Sequence, residues 1–507
     1  MRIKINCLGL LLLLCSCSDY LDKTPSSAID VNIDSEEKVA ELITAAYPSA
    51  SYFAFLEART DNVEERAYGI QNRMNEAMFF WEDFDQEDLD TPLNYWNSCY
   101  TGIAQVNKAL ELLSTFPKNK RTEALYAEAF LLRAYLHFML VNIWSEPYGK
   151  KSASQMGIPY LEKPEKHAIV SYDRGSVKDV YDKIEKDLLR GVNRITDQYY
   201  KAPRFHFSKR AAYAFASRFY LMKGDWQKVI DYSNYVLGED AKTSLRRWWD
   251  YRRKLNFNFK SLHQLYLAED EPANLLLTTT RSRLQRNLAT EKYGLTADKM
   301  VSIFAKRGIE GAQNYSTINL QGVYPLNASE SPITNGSYMA KFDEYAQYTE
   351  TGSSPKQVFV TNVLFSTDEV LLNRMEAYTM LSKFEEAIAD LLDYMSTKFE
   401  IYPALPHEAY LQSSRTNYDI YSPNYGLSRE QLALISTILH FRQKEFMHEG
   451  LRWFDIRRFY LSVKRNSKAG RYKALEKEDL RKVLQIPNEA IRRGLQPNPR
   501  NEAIILR

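Results

Sequence analysis

Tyr220-Leu221-Met222-Lys223-Gly224-Asp225-Trp226-Gln227-Lys228-Val229-Ile230 predicts the last turn of one helix, a tight turn at Lys223-Gly224-Asp225, and the opening of a second helix. The hairpin recurs: Tyr378, Phe384, Ala387 and Ile388 match Tyr220, Trp226, Val229 and Ile230, all displaced by 158 residues. Both copies have a helix, a short turn and a helix with inner faces of the same character. They predict an all-α scaffold of stacked hairpins, because one such unit cannot bury its apolar face alone.

A bulky residue at the turn, then a small or apolar residue, then isoleucine resembles a tetratricopeptide hairpin. The helical period continues outward from the two copies. Trp96, Tyr100, Ile103, Val106 and Leu110 follow Thr91-Pro92 at three- and four-residue steps. Leu125, Leu132, Leu136, Met139 and Ile143 stripe a helix from Thr122 to about Trp144, apolar over so much of its surface that it belongs among other helices. Ser176 and Ser208 open two more. Ser366 with Glu369 predicts a capping box on the second hairpin, and Ser428 with Gln431 caps a helix running to Gly450. The repeat helices are expected over about 92–237 and 366–460, some eight in all, with a large loop-rich insertion over about 240–365 between them.

The N-terminus limits where such a scaffold can work. Two basic residues, an apolar run of about ten residues and Leu14-Cys15-Ser16-Cys17 predict an exported chain with a leader over 1–16. The run is shorter than the roughly 20 residues a membrane span needs. Leu-Cys-Ser-Cys resembles a bacterial lipobox, which makes Cys17 the acylated first residue and 17–34 a polar tether. There are 67 Lys and Arg against 64 Asp and Glu, and Arg2 and Lys4 leave with the leader. Binding to nucleic acid through bulk charge is therefore disfavoured. Of the four cysteines only Cys99 remains unassigned, so no disulfide framework is expected.

The 35 Tyr, 24 Phe and 7 Trp are the informative excess, since flat rings stack on sugar faces as well as filling cores. The insertion holds Trp248-Trp249-Asp250-Tyr251, a strand-like Asn274–Thr280, then Arg281, Arg283, Tyr293, Tyr315 and Tyr324 among amides. Aromatics, amides and arginines on long loops suit a sugar face or an extended peptide. The candidate binding residues are Trp81, Trp248, Trp249, Tyr293, Tyr315 and Tyr324 for stacking, with Arg281 and Arg283 as donors. Any of these rings could instead fasten loops to the scaffold. Trp81 lies in Phe79-Phe80-Trp81-Glu82-Asp83-Phe84-Asp85-Gln86-Glu87-Asp88, whose acids suggest a calcium loop. It lacks the turn glycine of an EF-hand, so a solvated acidic loop is expected and no cofactor is assigned.

Glu449-Gly450-Leu451-Arg452-Trp453-Phe454-Asp455-Ile456-Arg457-Arg458 resembles the closing motif of the SusD/RagB family of outer-membrane nutrient-binding lipoproteins. Other positions agree in family order: Cys17 with Asp19-Tyr20-Leu21-Asp22; Tyr95-Trp96; Arg133-Ala134; Pro147-Tyr148-Gly149; Gly157-Ile158-Pro159; Gly224-Asp225-Trp226; Glu376-Ala377-Tyr378; and Ile486-Pro487. Phe441 departs from the usual glutamate, and Gln496-Pro497-Asn498-Pro499 from the usual final run. The resemblance implies a SusD-like domain over 35–507 and a surface lid over a SusC-like TonB-dependent transporter in the outer membrane. Such a lid captures an oligosaccharide for import and makes no bonds; the RagB branch implies peptide capture as an alternative.

Catalysis is disfavoured on the residues themselves. Glu445, His448, Glu449, Arg452 and Asp455 lack the second histidine of a zinc-protease helix, and their spacing suits ion pairs. No phosphate loop or nucleophile elbow is present. A glycosidase would need only two carboxylates, which 64 acids do not exclude. A purely structural surface scaffold is the remaining alternative.

Overall fold

The computed structural model describes residues 33–165, 172–255, 261–304, 326–328, 336–348, 357–399, 407–412, 420, 422–466 and 472–500. Cys17, the leader and most of the tether lie outside them, as do Tyr315, Tyr324 and the side chain of Trp249. The scaffold is helical. In chain order come α1 (Glu36–Ala45), α2 (Phe53–Arg59), α3 (Arg73–Phe79), α4 (Pro92–Leu113), α5 (Lys120–Trp144), α6 (Val177–Val192), α7 (Lys209–Lys223) and α8 (Trp226–Leu237). After α9 (Trp248–Lys254) and the insertion follow α10 (Thr367–Met380), α11 (Phe384–Lys398), α12 (Arg429–Glu445) and α13 (Leu451–Arg458).

The caps form where serine and threonine precede an apolar stripe. Thr91, Ser176, Ser208 and Ser428 each accept a backbone N–H in the first turn of the helix that follows. Ser366 caps α10 in the same way, but the reciprocal half of its predicted box is not made. Glu369 turns instead to Arg218 of α7, 2.5 Å away in a buried pair, which locks the two hairpins together. α5 is buried on nearly every side and packs between α4 and α6. α8 packs on α10, so the two predicted repeat units are direct neighbours.

Both hairpin turns share one backbone. Gly224 takes φ +81°, the Asp225 N–H donating to the Tyr220 carbonyl at 3.0 Å. At the equivalent place Ser382 takes φ +57° and the Lys383 N–H donates to the Tyr378 carbonyl at 2.8 Å. A Cβ at Gly224 would also lie 2.0 Å from the Tyr425 hydroxyl, so that ring would have to shift to admit it.

The insertion is more regular than its sequence suggests. β1 (Asn274–Arg281), β2 (Tyr345–Gln347) and β3 (Gln357–Ser366) form an antiparallel sheet in the order β1-β3-β2. β3 runs straight into α10, so the sheet is fixed to the second hairpin.

The closing motif is structural. Asp455 lies 3.0 Å from Arg442, Arg452 pairs with Asp61 at 2.8 Å, and Glu449 pairs with Lys341 at 2.7 Å. Glu445 accepts from the indole of Trp248 at 2.9 Å, and His448 Nε2 accepts the Met339 N–H at 3.2 Å. The predicted pairs exist, but most partners come from distant segments rather than the same helix, because this part of the chain is buried. Phe441, at the departure from the family pattern, packs on Tyr394 with ring centroids 5.2 Å apart.

Candidate functional site

The β1-β3-β2 sheet has one face in the core and one in solvent. Thr278, Thr280, Val358 and Val360 point inward, and the alternate residues point out, as the two-residue period of a strand requires. Register places Arg281 opposite Phe359 and Phe359 opposite Tyr345, so a cation and two rings form one row across three strands. Gln357 and Gln347 form the next row, and Thr279 and Thr361 lie on the other side of the first, their hydroxyls 3.2 Å apart. Tyr345 is 71% exposed, and the Arg281 guanidinium makes no ion pair among the described residues. Rings that bind apolar faces, beside amides, hydroxyls and a guanidinium that bind hydroxyl groups, make a flat polar-aromatic platform.

Three of the predicted ring contacts, Trp81, Trp248 and Tyr293, are corrected by burial. Trp81 is 1% exposed: its indole donates to the Arg59 carbonyl at 2.9 Å and lies beneath Arg465. Trp248 is fully buried against Tyr266 and Glu445, and Tyr293 stacks on Phe79 at 4.2 Å. None of the three offers a free face, because each ring fastens a loop to the scaffold. Arg283 is engaged too, pairing with Asp88 at 3.1 Å while its N–H donates to Asp90. Among the described candidate residues, only Arg281 reaches the exposed platform. Tyr345, Phe359, Gln347 and Gln357 were missed; Val358-Phe359-Val360-Thr361 is rich in strand-forming residues, but its sequence shows no polar-apolar alternation to say which side faces out.

A second feature is a groove of about 680 Å³ between α3, the loop 82–86 and the C-terminal segment 484–491. Its apolar wall includes Met78, Phe84, Leu484 and Ile486, and its polar wall Arg59, Arg73, Glu76, Gln86 and Gln485. The acidic loop is held in place: Asp83 pairs with Arg500 at 2.7 Å, and Asp85 accepts the Asn488 N–H at 3.1 Å. The same loop ends at Asp88 and Asp90, which hold the far end of β1 through Arg283 and Ser282. Burial raises the Asp90 carboxyl to about 6 against those donors. One loop thus joins groove and platform. No group of three His, Cys, Asp or Glu among the described residues is placed to hold a metal ion.

Two family models match nearly end to end. Residues 19–221 match a SusD-like model described as "Starch-binding associating with outer membrane", and residues 263–502 match the SusD family model. The chain belongs to the SusD/RagB family. A SusD-like protein P2 of Formosa agariphila is 21% identical over 491 residues, covering 91% of each chain. A SusD superfamily structure from Bacteroides thetaiotaomicron aligns with TM-score 0.65 at 19% identity, over 92% of this chain and 100% of that one. A SusD-like carbohydrate binding protein from Bacteroides vulgatus aligns with TM-score 0.62 at 14% identity, over 93% and 99%. The SusD-like fold accounts for the helical frame carrying a sheet-bearing insertion.

Proposed function

We propose that this chain is the glycan-capturing lid of a SusC-like TonB-dependent transporter, held at the cell surface by acylated Cys17. The observation that carries this reading is the solvent-facing row of Arg281, half-buried Phe359 and exposed Tyr345, where most other large aromatics among the described residues are core. Starch binding and outer-membrane association in the matched family model support it. The platform would stack on one sugar face while Gln347, Gln357 and Arg281 bond its hydroxyls. The lid performs no chemistry; closing delivers the glycan to the barrel. Gentle solubilisation of membranes carrying the full lipoprotein is expected to recover a TonB-dependent barrel with it. Cys17→Ala is expected to free the chain from the membrane, and recovery of the lipoprotein alone contradicts the lid.

A further inference from the structure

The carboxylates and the arginines lining the 680 Å³ groove are not in the same state. Glu82 pairs with Lys473 at 2.5 Å, Asp83 with Arg500 at 2.7 Å, Asp85 accepts a backbone N–H, and Glu76 is engaged as well. Arg73 is exposed and forms no ion pair among the described residues. Arg59, only 2% exposed, also lacks a carboxylate partner there. Its guanidinium lies over the Trp453 ring at 4.8 Å and donates to the Arg481 carbonyl, and its Nε has no hydrogen-bond partner. Burial lowers Arg59 to about 9, and Arg500, Arg457 and Arg481 add to that lowering against the pull of Asp83. A buried cation without a counter-charge is costly, and a nearby anion relieves the cost.

We propose that this groove takes an acidic sugar unit, its anionic oxygens held by Arg73 and drawn by the charge of Arg59, with Phe84 against the ring. This rests on the glycan-capture reading and narrows the ligand class. Carboxylate and sulfate share the required chemistry, so both are tested. Full-length lipoprotein in detergent is titrated with polygalacturonate fragments, sulfated galactan fragments, neutral galactan fragments and glutamate-rich peptides, at low and at physiological salt. The expected result is salt-sensitive binding of one acidic glycan, weakened roughly tenfold by Arg73→Gln, a surface change that leaves the fold intact. Polygalacturonate alone identifies carboxylate, and the sulfated galactan alone identifies sulfate. Equal binding of neutral and acidic galactans, or indifference to Arg73→Gln, overturns the inference while leaving glycan capture standing. Binding of the peptides alone overturns both.

Discussion

Asp455 shows what single side chains contribute. Burial pushes its carboxyl up, and the Arg442 and Arg458 guanidiniums pull it below the usual carboxylate range. Its contribution is present above the unfolded value of 3.8 and is lost as pH falls below it. Asp455→Asn leaves the buried Arg442 guanidinium without a carboxylate, while Arg458 keeps Glu376, and urea unfolding is expected to show a loss of about 3–5 kcal/mol. Glu291 has the opposite sign. Burial, and then the charge of Asp90, raise it from 4.5 to about 8, so the stability it contributes is complete below 4.5 and lost as pH rises through 8. Glu291→Gln is expected to flatten the decline in stability between those values, measured by unfolding at several pH values; an unchanged slope counts against it. At this scale the sequence says least about function. Trp81, Trp248 and Tyr293 fill a core while Tyr345 faces solvent, and composition does not distinguish such rings.

At the scale of elements the sequence is far more legible, because helix period and turn spacing are local. The 158-residue repeat in the hairpins corresponds to one shared turn backbone, with Ser382 in the left-handed conformation that Gly224 adopts. Removing the Cβ at that position relieves strain of about 1–2 kcal/mol, partly offset by the greater freedom of an unfolded glycine. Ser382→Gly is therefore expected to raise the thermal midpoint slightly, and Gly224→Ala to lower it, since its Cβ would also meet Tyr425. A lower midpoint for Ser382→Gly contradicts this. The strand β1 was legible from Asn274–Thr280, whereas β3 was not. Its first half alternates in burial but not in sequence, where Val358, Phe359 and Val360 are all apolar, and its second half, Asn362–Ser366, is buried throughout.

At the scale of the whole molecule, the order of motifs along the chain announced the family, but not where a ligand sits. The groove joins residues 59–92 to 484–491, and the platform joins strands up to 92 residues apart. No local period reports such a meeting. The loop from Glu82 to Asp90 links the two, lining the groove at one end and holding Ser282 and Arg283 beyond β1 at the other. The most direct test of the central claim is equilibrium binding of glycans by the full-length lipoprotein, alone and with its co-purified barrel, comparing wild type with Tyr345→Ala. Saturable binding of one glycan class without cleavage, weakened roughly tenfold by Tyr345→Ala, is the predicted result. New reducing ends from the bound glycan, or no glycan binding even with the barrel present, would contradict it.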